Sequence, residues 1–156
     1  MRKEIGIIFI TFLIMVVLFY VVIHVVNNHI AKRMERQLLE CQLPHNSEII
    51  DSVSIAGKMQ GNGNGMQWFG IILIRSEMNE VELSKWYDSR VNTEEKDDEI
   101  YVKKQETPEI FEYRNYRFKN YSGEDNCYQI QFLRNIPVGF ETSIWEGLLN
   151  YDLRGH

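Results

Sequence analysis

An uninterrupted apolar segment between Ile5 and Val26 constrains this chain more than any other part of its sequence. The segment contains one histidine, His24, and no Asp, Glu, Lys or Arg. As a helix rising about 1.5 Å per residue it would reach about 33 Å, enough to cross a hydrocarbon core of about 30 Å. We therefore predict a single transmembrane helix over residues 5–26, preceded by a short tail of residues 1–4.

A cleaved secretory signal is the competing interpretation of this segment. Such a signal would have a shorter apolar stretch, followed by small residues at the cleavage site. Residues 27–37 read NNHIAKRMERQ and contain no such site. Glu40 stands before Cys41, where a lipoprotein cleavage site would need a small residue. The sequence therefore favours an uncleaved signal anchor.

The orientation of the anchor is less strongly indicated. Basic residues stand on both sides of the apolar segment, with Arg2 and Lys3 before it and Lys32, Arg33 and Arg36 after it, so the positive-inside rule is nearly balanced. A short amino-terminal tail, one apolar run and a folded body are typical of bacterial signal anchors whose body lies outside the cytoplasm. We expect the body on the extracytoplasmic side of the cell membrane.

The charge balance narrows the class of partners. The chain has 17 Lys and Arg against 22 Asp and Glu, a formal net charge of -5. Binding to nucleic acid depends on clustered basic residues that neutralise phosphates. The acidic balance therefore argues against a nucleic-acid partner and leaves the lipid bilayer, a protein or a cell-envelope ligand.

A helical stalk is predicted directly after the apolar segment, over residues 27–42. Ile30, Met34, Leu38 and Cys41 recur at helical spacing among polar and charged residues. This stripe can pack on the body of the protein, or it can pair with a second copy and form a homodimer. Pro44 ends the helix, because proline cannot continue it.

Residues 43–156 are predicted to form a small soluble domain. The pattern indicates two strands, a helix that begins at a capping-box sequence at Asn79, three further strands and a closing helix from Ser143. The central strand Met66 to Arg75 is apolar on both faces, so both faces of its sheet must be covered. The other predicted strands are residues 49–55 (with Ile49, Asp51, Val53 and Ile55 on one face), 100–104, 111–121 and 128–132. The fold class is α+β, with the order β-β-α-β-β-β-α and a mostly antiparallel sheet.

The segment Gly61, Asn62, Gly63, Asn64, Gly65 is the most conspicuous local motif. It is not a Walker phosphate-binding loop, because Lys58 precedes the glycines and a strand rather than a helix follows them. Glycine and asparagine tolerate positive φ, so the motif is typical of a hairpin tip between the first two strands. We retain it as the candidate loop for a ligand or a partner.

The sequence offers few candidates for metal binding, disulfide formation or catalysis. No two histidines have the spacing of a metal site on one element, so neither a metal nor another cofactor is assigned. Cys41 and Cys127 could form one disulfide if the domain lies in an oxidising compartment. No catalytic residue is assigned.

The function that the sequence favours is a single-pass membrane protein that presents a small α+β interaction or ligand-binding domain, and not an enzyme. Two alternatives stay open. One is a membrane-tethered hydrolase that uses Asp152 and His156 near the carboxyl terminus, with Ser52 or Ser54 as nucleophile. The other is a structural subunit that dimerises through the stalk.

Overall fold

The computed structural model describes residues 2–57, 59, 66–91, 93, 98–111, 115–123 and 125–136. Their fold is α+β, as predicted, with one long apolar helix at the amino terminus, a four-stranded antiparallel sheet and one short helix. The predicted closing helix from Ser143 lies outside the described residues. The elements are α1 (Arg2–Glu40), β1 (Ser47–Gly57), β2 (Met66–Ser76), α2 (Glu80–Asp88), β3 (Asp98–Lys104) and β4 (Cys127–Ile136).

The first element, α1, is one helix of 39 residues. None of residues 5–26 is buried, and most of them are exposed. The helix is long and apolar enough to cross a membrane, and a signal sequence near an amino terminus has the same properties. It ends at Glu40, before Pro44, as the sequence predicts.

The four strands follow the order β1-β2-β4-β3, and every neighbouring pair is antiparallel. The central position of β2 confirms the prediction made from its apolar residues on both faces. One set of β2 side chains, Trp68, Ile72 and Ile74, belongs to one buried cluster, and the alternate set, Phe69, Ile71 and Leu73, belongs to a second. Each face of the sheet therefore has its own core.

The two helices cover the first face. The carboxyl-terminal part of α1 contributes Ala31, Met34 and Leu38 to this core, and α2 contributes Leu83 and Tyr87. The short helix begins with the predicted capping box, in which the side chains of Asn79 and Glu82 each accept a hydrogen bond from the other residue's backbone N–H.

The chain between β3 and β4 covers the second face, and here the structure differs from the sequence prediction. We expected a strand over residues 111–121, but the described part of this region contains only an isolated bridge between Glu109 and Arg117. Two backbone hydrogen bonds, from Ile110 N–H to the Tyr116 carbonyl and from Phe118 N–H to the Pro108 carbonyl, fold it back on itself. Its aromatic side chains therefore lie on the sheet instead of pairing along its edge.

Strand β1 also departs from simple alternation. Its pairing with β2 shifts register between Ile49 and Asp51, as a β-bulge does. Ile49 packs in the helix-covered core, whereas Asp51, Val53 and Ile55 lie on the opposite face. The prediction that all four share one face was wrong for Ile49, because the extra residue, Ile50, reverses the alternation.

Candidate functional site

The apolar half of α1 leads directly into the core of the domain at Asn27. Val26 is about half exposed, whereas the next residue, Asn27, is only 8% exposed. The Asn27 Oδ1 accepts a hydrogen bond of 3.3 Å from the Trp68 Nε1–H at the start of β2. No break separates the exposed apolar segment from the docked segment, so one continuous helix contains both.

Close packing against β2 continues along α1. A Cβ added to Gly70 would lie 2.2 Å from the backbone nitrogen of Glu35 and 2.4 Å from the backbone carbonyl carbon of Met34. No side chain fits in that space, so glycine is required at this position. The helix therefore lies with its backbone directly on the central strand.

The strand ends beside Trp68 are tied together by polar side chains. Arg134, whose backbone pairs with Trp68, forms a two-pronged ion pair with Asp98, with 2.8 Å between Nη2 and Oδ2. The Asp98 side chain is fully buried. The Gln67 amide accepts a hydrogen bond from Met59 N–H and donates one to the Asn135 side chain. These contacts connect β2, β3 and β4, and Met59 beyond β1, at the end of the sheet nearest the apolar segment.

The predicted partner loop, Gly61 to Gly65, lies outside the described residues. Its two points of attachment are described, because β1 ends at Gly57 and β2 begins at Met66. The backbone of Gly57 pairs with Gln67, next to Trp68. Both attachment points therefore lie at the end of the sheet that is nearest the apolar part of α1.

The outward face of α1 carries a basic groove. A cavity of about 380 Å³ runs along residues on the side of the helix opposite Ala31, Met34 and Leu38. We call this cavity the basic groove. It is lined by His29, Lys32, Arg33, Arg36, Gln37 and Glu40. The sequence identified three of these residues as a flank of the membrane segment, but their arrangement in a groove required the structure.

The stalk stripe has a clear place in the structure. Met34 and Leu38 are buried against the sheet, and Ile30 and Cys41 pack at the edge of the same core. Of the two interpretations of this stripe, packing on the protein's own body is therefore the one seen. A dimer through the same face would require α1 to leave the sheet.

The two cysteines are not joined in a disulfide in this structure. Cys41 packs at the edge of the helix-covered core, and Cys127 is buried in the core on the opposite face. The sheet therefore stands between them. Burial raises the pKa of the Cys41 thiol, and the nearby Arg90 guanidinium offsets part of this rise.

The residues around Cys41 hold the end of α1 against α2. The Trp86 Nε1–H donates a hydrogen bond of 2.8 Å to the Gln42 carbonyl, and the Arg90 guanidinium lies 3.5 Å from the centre of the Trp86 ring. Tyr87 is fully buried beside them, and this burial, together with Cys41, raises the pKa of its hydroxyl. The cluster is thus a packing contact that fixes the far end of the helix.

Of the candidate catalytic residues, Ser52 and Ser54 lie in the described part of the chain. Ser52 and Ser54 lie in β1, and Ser54 pairs with Gly70 beneath α1. Asp152 and His156 lie outside the described residues, so the hydrolase alternative gains no support. Among the described residues, no three His, Cys, Asp or Glu side chains gather in a way that could hold a metal ion.

The sequence analysis missed the two residues that join the apolar helix to the sheet, Asn27 and Gly70. A signal was present for each. Asn27 directly follows the apolar segment, and Gly70 interrupts a strand of large apolar residues, which is a known mark of close backbone approach.

Comparison of the chain with protein-family models, with curated proteins and with solved structures found no match.

Proposed function

We propose that this protein is a single-pass membrane protein in which α1 is an uncleaved anchor and the α+β domain is an interaction module held at the membrane surface. The observation that carries the proposal is the continuity of α1 from its exposed apolar part into the core at Asn27. Proteases cleave segments of a chain that are accessible to them. The residues after Val26 are not accessible in this way, because they are helical and because Asn27, Ala31 and Met34 are buried.

In this arrangement, the end of the sheet that contains Trp68 would face the membrane surface. Trp68 contacts Asn27, one residue beyond the apolar segment, and the attachment points of residues 61–65 lie beside Trp68. Residues 61–65 join the sheet at the end nearest the apolar segment, and this attachment supports a contact near the membrane surface. We propose that residues 61–65 contact a protein or a cell-envelope ligand there, on the extracytoplasmic side.

The anchor is tested by the mass and the extraction behaviour of the full chain. We expect the intact 18.5 kDa chain in the membrane fraction, resistant to alkaline carbonate. A control chain in which a cleavable secretory signal replaces residues 1–26 shows that the assay detects cleavage. A shortened wild-type chain in the soluble fraction would contradict the proposal.

The orientation and the partner are tested separately. A reporter that is active only outside the cytoplasm, fused after His156, is expected to be active, whereas a reporter fluorescent only in the cytoplasm is expected to be dark. The reverse result would overturn the orientation and leave the anchor intact. A photo-crosslinking residue at Asn62 or Asn64 should capture a membrane or envelope component, and the same residue at exposed Glu106, beyond the far end of β3, should not.

A further inference from the structure

The basic groove lies just beyond the apolar segment of α1. At about 1.5 Å per residue, Lys32 stands about 9 Å and Arg36 about 15 Å beyond Val26 along the helix axis. The polar headgroup layer extends about 5 to 8 Å from each side of the hydrocarbon core. Side chains in a helix point back toward its amino terminus, and long basic side chains extend to reach polar surroundings. The cations of Lys32 and Arg36 are therefore directed toward the headgroup layer.

The packing of the domain fixes which way this groove faces. Ala31, Met34 and Leu38 are held against the sheet, so the opposite side of α1 is turned outward. Lys32 and Arg36 are exposed on that side, one helical turn apart. Two like charges at this spacing repel each other in a helix. Within the described part of the chain, neither of them forms an ion pair.

We propose that the basic groove binds the phosphate of an anionic phospholipid headgroup, an inference that rests on the proposed membrane anchor. The Arg36 guanidinium can hold two phosphate oxygens at once, and the Lys32 ammonium adds a second positive charge. The bound anion also relieves the repulsion between the two cations. The net charge of the chain is -5, so a preference for anionic lipid arises from this local arrangement and not from the protein as a whole.

The cavity is large enough for this ligand. Small-molecule sites commonly enclose about 300 to 1,000 Å³, and the groove has about 380 Å³. Gln37 at the side of the groove offers an amide for the sugar-like or glycerol hydroxyls of a headgroup. Glu40, at the end farthest from the membrane, limits the positive charge to the membrane-proximal part.

The experiment measures lipid retention by the full chain. The protein is purified in a non-ionic detergent, mixed with equimolar phosphatidylglycerol and phosphatidylcholine, and analysed by native mass spectrometry. Wild type is expected to retain phosphatidylglycerol in preference to phosphatidylcholine. The variant Lys32→Gln/Arg36→Gln is expected to lose about fivefold of this preference for each charge removed, and added salt should weaken the preference of wild type.

A matched control removes the same number of charges elsewhere. Lys85 and Lys104 are exposed and lie away from the apolar segment, so Lys85→Gln/Lys104→Gln should retain lipid as wild type does. Equal retention of the two lipids by wild type, or an equal loss in both double variants, would overturn the proposal. Carbonate extraction separates this proposal from the anchor: a chain that resists extraction but shows no lipid preference refutes the headgroup site alone, and an extracted wild type refutes the anchor.

Discussion

Two residues of the sheet, Gly70 and Gln129, show how a single residue affects the packing and the stability of the protein. Gly70 lets the backbone of α1 lie on β2, because it offers no Cβ to collide with Met34 and Glu35. Gln129, in β4, is fully buried, and neither atom of its amide has a hydrogen-bond partner in the described part of the chain. The packing requires the first residue, and the second places a buried amide where no described group bonds to it.

Gly70→Ala is expected to destabilise the protein by about 1 to 3 kcal/mol, because the added Cβ forces α1 away from β2. Thermal unfolding of the full chain in detergent measures the loss, and a shift in tryptophan emission reports the change around Trp68. Gly6→Ala is the matched control, since a Cβ there has open space. Equal melting temperatures for wild type and Gly70→Ala would show that the helix is not held so closely.

Gln129→Met is expected to raise the melting temperature. A buried amide without partners loses its hydrogen bonds to water, at a cost of about 1 to 3 kcal/mol, and methionine fills a similar volume without that cost. Gln131→Met is the control, because Gln131 is also buried in β4 but takes part in an interaction that methionine would lose. A lower melting temperature for Gln129→Met would indicate that the amide is satisfied after all.

At the level of elements, the segment between β3 and β4 covers one face of the sheet, as the two helices cover the other face. Ile110, Phe111 and Phe118 cover the second face of the sheet. The Asp51 carboxylate holds this segment in place, since its Oδ2 accepts hydrogen bonds from the backbone N–H groups of Lys119 (2.7 Å) and Asn120 (3.0 Å). The bulge in β1 is what turns Asp51 toward the segment.

Asp51→Ala is expected to loosen the covering segment, because two exposed backbone N–H groups lose an acceptor worth about 0.5 to 1.5 kcal/mol each. Hydrogen exchange at Lys119 and Asn120 should accelerate, and limited proteolysis should cut nearby. Asp125→Ala, which removes an exposed carboxylate from the connection itself, is the control. Unchanged exchange in Asp51→Ala would mean that the aromatic packing alone holds the segment.

The packing at the carboxyl-terminal end of α1 can be monitored by the reactivity of the Cys41 thiol. Because burial raises the pKa of this thiol, less reactive thiolate is present near pH 8 than in an unfolded chain. We expect slow alkylation of the Cys41 peptide that accelerates at higher pH, measured by mass spectrometry. Arg90→Gln should slow it further, since the guanidinium lowers the pKa, and Lys104→Gln should not. Alkylation as fast as in denaturant would contradict the burial.

The sequence predicted the elements whose signals are local. The apolar segment of α1, the two-faced apolar pattern of β2 and the capping box at Asn79 each depend on neighbouring residues, and each is found in the structure. The bulge at Ile50 and the folded-back segment around Phe118 depend on contacts with distant strands, which a local pattern does not contain. The basic groove needed the structure for the same reason, because only the docking of Met34 and Leu38 fixes its direction.

At the scale of the whole molecule, the carboxyl-terminal part of α1 is shared between two predicted units. The sequence predicts a stalk over residues 27–42 and a soluble domain from residue 43, and Ala31, Met34 and Leu38 of that stalk pack in the core of the domain. Residues 27–40 therefore directly follow the apolar segment and also cover one face of the sheet. The apolar side chains of this amphipathic segment pack against the sheet.

Two fragments test this boundary. Residues 27–156 should unfold cooperatively, whereas residues 42–156 should lack fixed packing, because removal of three buried side chains exposes one face of β2. Near-ultraviolet circular dichroism and binding of a hydrophobic dye measure the difference. Identical cooperative unfolding of both fragments would show that α1 adds nothing to the core.

The unbroken path of α1 into the core has a mechanical consequence. A flexible linker would let a domain turn freely relative to a membrane helix, whereas here the helix continues without a break into the core, so a tilt of the helix would tilt the domain with it. Transmembrane helices tilt by about 20° on average, and they tilt further when the bilayer is thin relative to their apolar length. In a membrane, the angle at which this domain faces its surroundings would thus follow the local thickness of the lipid.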